Sequence, residues 1–324
     1  MPAKYYHART TIKRAIWKLQ RYKPGSPTGH VALFASRRGG SSWIMEVISA
    51  NPEFRYIAQP FVAYDREGRW GHDIVNYDYS RFIDPSEAEL AGIGEFIDGI
   101  LRGRHVLRAP WRAWDGDFWR LKSRTVMKIL QAKALMPWFE ERFGLKVVYL
   151  LRHPLAQASS VMKAGWPPMH GTFLDHPGFR DKHLDAAQRE FCARVAADGS
   201  LLDQHVLTWC LDNLLPLRAL KSPTSWTVVS YEDCVLKPEA TLQYLSKALD
   251  LSSIDRMQAQ MSVVSRTAKF SNDSNAGILG EAQLAKWQKS VSPAEIASAF
   301  DILKALDIDA YSADSLVPGD EFRV

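Results

Sequence analysis

A Gly-rich turn near the start of the chain joins a short apolar run to a segment with helical spacing. The apolar run is HVALFAS, residues 30–36, and Arg-Arg-Gly-Gly-Ser-Ser follows it. Such a turn between a buried strand and a helix presents backbone N–H groups together with the positive end of the helix dipole. The residues that would face an anion are Arg38, Gly39, Gly40, Ser41 and Ser42. The pattern predicts an anion-binding loop.

This loop lacks what an ATP-hydrolysing site requires. A Walker A loop, G-x-x-x-x-G-K-[ST], carries a lysine that reaches the terminal phosphates, and the turn contains none. The later apolar run VVYLL is followed by Arg152, where such a site would place an acid that supports Mg²⁺. The sequence favours anion binding by arginines and backbone without a metal. The alternative is a plain turn whose arginines are solvated.

A second anion position follows from the spacing around Arg152. Pro154 is a suitable first residue for a helix, and Ser160 comes eight residues after Arg152. Helical geometry brings Ser160 back toward a ligand held at the strand end. An arginine and a hydroxyl together suit a phosphate. Two anion sites at the ends of two parallel strands indicate a nucleotide phosphorylated at both its 5′ and 3′ positions.

The elements that must position these residues alternate between strands and helices. Apolar runs at residues 30–36, 147–151 and 226–229 show no polar alternation, which predicts strands buried on both faces. We therefore predict one α/β domain with a doubly wound, mainly parallel sheet covered by helices, like that of P-loop NTPases. This domain would span residues 30–324. Aromatic-, Gly- and Pro-rich insertions near residues 61–122 and 164–190 would shape a substrate cleft.

The composition is that of an ordinary globular protein, with 46% hydrophobic and 24% charged residues. No apolar run reaches the length of a membrane span, and no secretory signal is present, so we expect a cytoplasmic protein. Three widely spaced cysteines without metal-ligand spacing predict a reducing compartment and no structural zinc.

The N-terminal segment, residues 1–29, is basic. Its lysines and arginines precede the first acid, Glu46, and this field favours an anionic ligand or surface. Residues 8–22 place Ile12, Ile16 and Leu19 on one face at helical spacing. The predicted helix either packs on the domain with a solvated basic face or contacts a membrane surface, which would make the protein membrane-associated.

Four motifs, in order along the chain, resemble those of sulfotransferases that use 3′-phosphoadenosine 5′-phosphosulfate (PAPS). They are SRRGGSSW, VVYLLRHPLAQASS, WTVVSYEDCVLKPEATLQYLSKALDL and LAKWQKSVSPAEIASAFDILKALDIDAYS. They run from about residue 30 to residue 312 and leave the insertions unmatched. The motifs are closer to the carbohydrate and bacterial branches than to the cytosolic Lys-x-His branch. The resemblance implies a P-loop-like fold, PAPS as co-substrate and no metal.

The resemblance also implies roles for individual residues. Arg38 and residues 39–42 correspond to the 5′-phosphosulfate loop, and Arg152 and Ser160 to the 3′-phosphate pair. The remaining nucleotide-binding positions fall on Trp43, Arg266 and Lys269. Lys128 falls at the strand-end lysine that, with Arg38, would stabilise the leaving phosphate. Trp43 is equally consistent with the core, and Lys128 with the surface.

The catalytic base is where this sequence departs from the family. Leu130 stands where the cytosolic branch has its histidine, and Gln59 stands where other sulfotransferases have a glutamate. Neither side chain takes a proton. The insertions offer Asp65, His72, His105, Asp115, His170 and His176. His105, close before the Lys128 strand, is the preferred candidate.

The sequence therefore predicts an enzyme that transfers the sulfuryl group of PAPS to a hydroxyl of a small molecule, a glycan or a glycolipid. Two alternatives stay open: a non-catalytic relative that binds the nucleotide or a polyanion, and an NTP-dependent phosphotransferase. Nucleic acid is not an expected partner, because the excess charge lies near one end and no recognition motif accompanies it. Residues predicted to be structural are Trp209, Asn213, Tyr231, Glu232, Asp233 and Trp287.

Overall fold

The computed structural model describes residues 16, 19–61, 80–105, 116–263 and 280–324. Within them, five strands form one sheet: β1 (Val31–Ala35), β2 (Phe54–Ala58), β3 (Arg124–Ile129), β4 (Lys146–Leu151) and β5 (Thr227–Ser230). The strand order is β2-β3-β1-β4-β5, and each neighbouring pair is parallel. The carboxyl ends of the strands therefore share one edge of the sheet.

Helices connect and flank these strands. The helices in the described residues are α1 (Ser41–Ile48), α2 (Glu87–Leu101), α3 (Met136–Phe143), α4 (Pro154–Lys163), α5 (His170–Leu174), α6 (Pro177–His183), α7 (Ala186–Asp198), α8 (Leu201–Ala219), α9 (Tyr231–Leu236), α10 (Pro238–Leu249), α11 (Ile254–Met261), α12 (Glu281–Leu284) and α13 (Pro293–Ala305). None of these helices combines the length and the apolar character needed to cross a bilayer.

Local sequence explains where several helices begin and end. Pro154 is the first residue of α4, where its missing N–H has no helical partner to lose. Gly144 ends α3 in the left-handed conformation, with φ of 60°. Ser86 and Glu89 form a capping box at the start of α2. These signals lie in the sequence itself, so the boundaries follow from it.

The core lies on the sheet. Every residue of β1 is fully buried, and the other central strands, β3 and β4, are buried beyond their first residue. Phe34 of β1 meets Phe139 of α3 edge to face, with ring centroids 5.4 Å apart. Burial on both faces is the reason these strands lack polar alternation.

The predicted P-loop-like parallel α/β fold is confirmed, as are the strands expected within residues 30–36, 147–151 and 226–229. β2 was not predicted, because Arg55 interrupts its apolar character. The structure buries that arginine: its guanidinium lies 3.5 Å from the centre of the Tyr22 ring, and its Nε donates to Thr125 Oγ1 at 2.9 Å. A stacked arginine can occupy a strand that a polarity pattern excludes.

The chain reaches the sheet before residue 30. Lys122 donates its backbone N–H to the Arg21 carbonyl at 2.9 Å, and Gly25 donates to the Ser123 carbonyl at 2.8 Å. Most of the helix predicted over residues 8–22 lies outside the described residues. The proposed insertions contain helices where they are described: α2 lies in the first, and α5 and α6 lie in the second.

Candidate anion-binding site at the strand ends

The loop after β1 is held in an unusual backbone conformation. Arg38 has φ of 61° and Gly40 has φ of 90°, both in the left-handed region. A Cβ on Gly40 would lie 2.5 Å from Tyr231 Cδ2, so only glycine fits at this approach. Gly40 is the N-cap of α1, and the N–H groups of Ser41 and Ser42 in the first turn have no helical acceptor. The turn therefore presents backbone N–H groups in the arrangement that the predicted anion cradle requires, and the binding itself stays a prediction.

Arg38, Arg152 and Ser160 are brought together by three separate elements. Arg38 Nε donates to Ser160 Oγ of α4 at 3.0 Å. Arg152, directly after β4, donates from Nη1 to the Arg38 carbonyl at 2.6 Å. These bonds hold the strained Arg38 backbone in place and join the two anion positions that the sequence predicts.

Arg152 retains capacity for a further partner. Its Nε is buried and has no hydrogen-bond acceptor, and Arg152 forms no ion pair with any residue that the structure describes. Its guanidinium lies 4.3 Å from the centre of the Tyr231 ring. A partly buried arginine held by a ring and a carbonyl, without an ion-paired carboxylate, is a suitable receptor for an anionic ligand.

Lys128 also reaches the loop. It lies near the end of β3, pairs in register with Leu33 of β1, and donates from Nζ to Ser42 Oγ at 3.0 Å. Gln59, directly after β2, donates its backbone N–H to the Lys128 carbonyl at 2.9 Å. Two residues identified by family resemblance thus lie at the strand-end edge, next to the anion loop.

Trp43 and Tyr231 pack behind the loop. Their rings meet edge to face with centroids 5.8 Å apart, and Trp43 Nε1 donates to the Met261 carbonyl at 3.2 Å. Trp43 is 8% exposed, so most of the ring belongs to the core. The sequence predicts a structural role for Tyr231. In the structure its ring lies against the Arg152 guanidinium and occupies the space that a Cβ on Gly40 would need. Its position directly after β5 was the signal that could have placed it in the site.

A buried polar network lies beneath the loop. Lys133 Nζ donates to Asp212 Oδ2 at 2.6 Å and to Asn213 Oδ1 at 2.9 Å. Ser36 Oγ donates to Asp212 Oδ2 at 2.7 Å, and Tyr149 OH donates to Asn213 Oδ1 at 2.7 Å. Burial lowers the pKa of Lys133 and raises that of Asp212, but the direct ion pair opposes both shifts. This network fixes Ser36, the residue at which β1 gives way to the loop.

Sequence reasoning missed this network. The sequence predicts a packing role for Asn213 and no role for Lys133 or Asp212. The partners in this network are distant in sequence, so no local pattern indicates them. Trp209, also assigned to packing, donates from Nε1 to the Arg152 carbonyl at 3.0 Å. The only local signal is that Trp209 and Asn213 lie one turn apart on α8.

Glu232 lies close to Arg152 without pairing with it. One carboxylate oxygen accepts the His153 N–H at 3.0 Å, and the other accepts the Tyr311 hydroxyl at 2.9 Å. Burial raises the pKa of Glu232 to about 7, although these hydrogen bonds and the Arg152 charge oppose the shift. The His153 ring stacks on Trp287, and burial lowers its pKa to about 3. Both groups pack at the end of β4, where Glu232 accepts the His153 N–H.

His105, the preferred base candidate, is not brought to this edge. The His105 ring stacks on Phe96 and lies against Gly99, both in α2. The end of α2 contacts Arg55 and Tyr22, near the amino ends of the strands. Arg266 and Lys269 lie outside the described residues, as do Asp65, His72 and Asp115. Across the described residues, no group of three His, Cys, Asp or Glu side chains could hold a metal ion.

Comparisons with known proteins give structural likeness only. No family model and no curated protein matches the sequence. The sulfotransferase domain of the Synechococcus PCC 7002 olefin synthase is 15% identical, over 90% of this chain and 97% of that one, with a TM-score of 0.46. A mouse sulfotransferase with bound PAP is 13% identical over 93% and 92%, with a TM-score of 0.43.

A third solved structure is a retinol dehydratase in complex with androsterone and the inactive cofactor PAP. It is 16% identical over 93% of this chain and 86% of that one, with a TM-score of 0.40. At these identities and TM-scores the likeness assigns no activity to this chain. Function is therefore inferred from the side chains at the strand ends.

Proposed function

We propose that this protein is a sulfotransferase that moves the sulfuryl group of PAPS to an acceptor hydroxyl and releases 3′,5′-adenosine bisphosphate (PAP). The observation that carries the proposal is the joined cluster of Arg38, Ser160 and Arg152. It places two arginines and a hydroxyl between the loop after β1 and the end of β4, with a buried N–H of Arg152 left for a ligand. A nucleotide with anionic groups at both ends matches such a pair of sites.

The chain's own residues fit the donor. The loop amides and Arg38 suit the phosphosulfate, while Arg152 and Ser160 suit the 3′-phosphate. In the reaction, the acceptor oxygen forms a bond to sulfur as the bond between sulfur and the bridging phosphate oxygen breaks. The electron pair leaves with PAP, so negative charge grows on that phosphate. Arg38 and Lys128, both at the loop, would stabilise this charge.

The acceptor's proton has no assigned recipient. Gln59 lies beside Lys128 at the strand end but has no basic group, and Leu130 is buried. His105 remains a prediction from sequence, with its ring packed on α2. These observations favour a second candidate function, a relative that binds the nucleotide without catalysing transfer. The two functions differ in turnover alone.

Calorimetric titration tests the donor half. PAP and ATP would each be titrated into the full chain, with and without Mg²⁺. We expect PAP to bind without Mg²⁺ and ATP–Mg²⁺ to bind weakly. Arg152→Ala should weaken PAP binding at least tenfold, since hydrogen bonds to charged groups contribute about 1.5–3 kcal/mol. Arg194→Ala is the matched control, because Arg194 pairs with Glu190 on the surface of α7. Tight ATP–Mg²⁺ binding without PAP binding would overturn the proposal in favour of a phosphotransferase.

Transfer of labelled sulfate tests the acceptor half. PAPS carrying ³⁵S would be offered with small alcohols, phenols, oligosaccharides and glycolipids, the acceptor classes that the sequence leaves open. Labelled product from any class supports the enzyme. PAP binding without transfer to any class would instead support the non-catalytic relative.

A further inference from the structure

A small cavity lies beside the anion loop, with Arg37 of that loop in its wall. Its volume is about 30 Å³, and its walls come from the loop, α4, α8 and the segment that includes α5. Polar wall residues are Arg37, Gln157, His205, Thr208 and Asp212. The rest of the wall is mainly apolar and includes Val161, Phe173 and Trp209. The anion site by itself does not account for this cavity.

Several buried polar atoms of the cavity walls have no hydrogen-bond partner. They are Gln157 Oε1 and His205 Nε2, and Arg37 Nε is a third buried atom of the wall without a hydrogen-bond partner. Gln157 is 7% exposed and His205 is 4% exposed, so bulk water does not solvate them freely. An unsatisfied buried polar group costs about 1–3 kcal/mol, and such a group calls for an explanation. Several of them on one cavity indicate that the cavity is built for an occupant.

The protonation of His205 narrows the chemistry of that occupant. Burial, the Arg37 charge and His170 lower the pKa of His205 to about 4, so the ring is neutral at pH 7. Gln157 Oε1 can only accept a hydrogen bond, whereas the neutral imidazole nitrogen either accepts or donates one. A hydroxyl donates one hydrogen bond and accepts others, and so satisfies both atoms. A carboxylate or phosphate oxygen cannot donate to Gln157.

The charged residues of the wall already make contacts of their own. Asp212 accepts hydrogen bonds from Lys133 and Ser36. Arg37 contacts Met169 Sδ, and its guanidinium lies 4.5 Å from the centre of the Trp166 ring. The open hydrogen-bonding capacity therefore lies with Gln157 Oε1, His205 Nε2 and the N–H at Arg37 Nε, from which a hydroxyl oxygen can also accept. The apolar wall suits the carbon atoms that carry a hydroxyl.

The cavity adjoins the anion loop through shared elements. Arg37 directly precedes Arg38, and Asp212 holds Ser36 at the start of the same loop. Gln157 lies one turn before Ser160 on α4, which contacts Arg38. A group bound in the cavity would thus lie next to the place where the sulfuryl group is proposed to sit.

We propose that this cavity is an acceptor subsite that holds a hydroxyl-bearing group, with Gln157 Oε1 accepting from the hydroxyl and His205 Nε2 bonding to its oxygen. This assignment rests on the proposed sulfotransferase function. It places the acceptor among alcohols and makes Gln157 and His205 residues that position it. The competing occupant is ordered water, since a cavity of this size also accommodates one or two water molecules.

Nuclear magnetic resonance of ¹⁵N-histidine-labelled full chain loaded with PAP distinguishes the two occupants. The probes are ethanol and dimethyl ether, which contain the same atoms but differ in the hydroxyl. We expect ethanol to shift the His205 Nε2 resonance in a saturable way and dimethyl ether to leave it in place. The signal would be assigned by its loss in His205→Asn.

Variants of Gln157 provide the second arm. Gln157→Met keeps the size of the side chain and removes the acceptor, so the dissociation constant for ethanol should rise at least tenfold. Gln157→Asn, which withdraws the oxygen by one methylene, is the second variant should the first fail to fold. Gln258→Leu, at an exposed position on α11, is the control. PAP affinity should stay within twofold of that of the unmodified chain in all of them.

A structural water alone predicts a different result. His205 would then fail to respond to ethanol, or would respond equally to dimethyl ether, while PAP still binds; either outcome overturns the subsite and leaves the proposed function intact. Absence of PAP binding would instead remove the function on which the subsite rests.

Discussion

Lys133 and Arg152 are both cations just beyond the carboxyl end of a strand, yet their surroundings are opposite. Lys133 follows β3 and lies in a closed network in which Asp212, Asn213 and Ser36 accept all of its hydrogen bonds. Arg152 follows β4, where a carbonyl and an aromatic ring are its neighbours. The protein neutralises the first cation itself and leaves the second without an ion-paired carboxylate among the described residues.

This difference distinguishes residues that stabilise the strand ends, such as Lys133, from residues available to bind a ligand, such as Arg152. A buried ion pair that is fully hydrogen-bonded fixes geometry, and removing one partner leaves an uncompensated charge. A cation held in place without an acidic partner retains its charge for a ligand. Glu232 shows the same division, because both of its oxygens are occupied by His153 N–H and Tyr311 OH rather than by Arg152.

The largest expected effect comes from breaking the closed network. Lys133→Met leaves Asp212 buried without its cation and should lower the free energy of unfolding by about 3–5 kcal/mol in urea titrations. Lys133→Met combined with Asp212→Leu should recover much of that loss, because the orphaned charge is gone.

Lys182→Met is the surface control for this experiment. Lys182 and Asp84 are 60% and 40% exposed, and exposed pairs contribute about 0–1 kcal/mol. A loss below about 1 kcal/mol for Lys133→Met would contradict the supporting role assigned to the network.

The next effect concerns Glu232 and depends on pH. Its pKa is about 7 in the folded chain, against a reference value of 4.5. The folded state therefore holds the proton more tightly, and this group's contribution to stability falls as pH rises from about 4.5 to 7. Glu232→Gln removes the ionisation. We expect its unfolding free energy, relative to that of the unmodified chain, to improve by up to about 3 kcal/mol between pH 4.5 and pH 8.

Paired urea titrations at both pH values check this difference. Comparing the change between pH values cancels any constant cost of the substitution, and it also cancels the titration of His153 when that residue is unaffected. A gap between the two proteins that stays the same at both pH values would mean that Glu232 is already ionised when folded, and Arg152 would then have a charged carboxylate nearby.

The meeting of Arg38, Arg152 and Ser160 could largely be predicted from sequence, for a physical reason. The loop after β1, the arginine after β4 and the serine two turns into α4 are each fixed by local signals: a glycine pair, a strand end and a proline-started helix. Parallel strands then bring these local features to one edge. Arg38 and Arg152 follow the carboxyl ends of β1 and β4, which are neighbouring parallel strands. They therefore meet at one edge of the sheet, together with Ser160 of α4.

The supporting network and the cavity could not be predicted in this way. Lys133 and Asp212 are 79 positions apart, and Ser36 and Asp212 are 176 apart. Their meeting depends on how α8 packs over the strand ends, which periodicity does not specify. The position of His205 could not be predicted either, because nothing in its helix distinguishes it. Only the folded structure shows that it lines the same cavity as Gln157 and Arg37.

A smaller effect is expected from a substitution of Gly40, the loop residue that packs against the Tyr231 ring. Gly40→Ala introduces a Cβ at φ of 90°, with an ideal position 2.5 Å from the Tyr231 ring. The left-handed conformation costs a residue with a side chain about 1–2 kcal/mol, and displacement of Tyr231 disturbs the ring beneath Arg152. PAP affinity should fall at least tenfold by calorimetry.

Gly144→Ala separates backbone strain from the effect on the site. Gly144 also has positive φ, 60°, but nothing lies within 4 Å of the position that a Cβ would take there. This variant should lose about 1–2 kcal/mol of stability while its PAP affinity is unchanged. Equal PAP affinities in the two variants would show that Tyr231 does not support the nucleotide site.

The smallest effect is expected from Ser160, and it tests directly whether this residue stabilises the fold or binds the nucleotide. Ser160→Ala removes a hydroxyl that contacts Arg38 at 3.0 Å, and a hydrogen bond of this kind contributes about 0.5–1.5 kcal/mol. If this serine faces the ligand, the loss should appear as a PAP affinity about threefold to tenfold weaker, with little change in unfolding free energy. Ser159→Ala, at the adjacent buried serine, should leave PAP affinity unaltered. The reverse pattern, lower stability with unchanged affinity, would move Ser160 from the recognising group to the supporting one, alongside Ser36. Arg38 would then owe its strained conformation to folding rather than to the nucleotide.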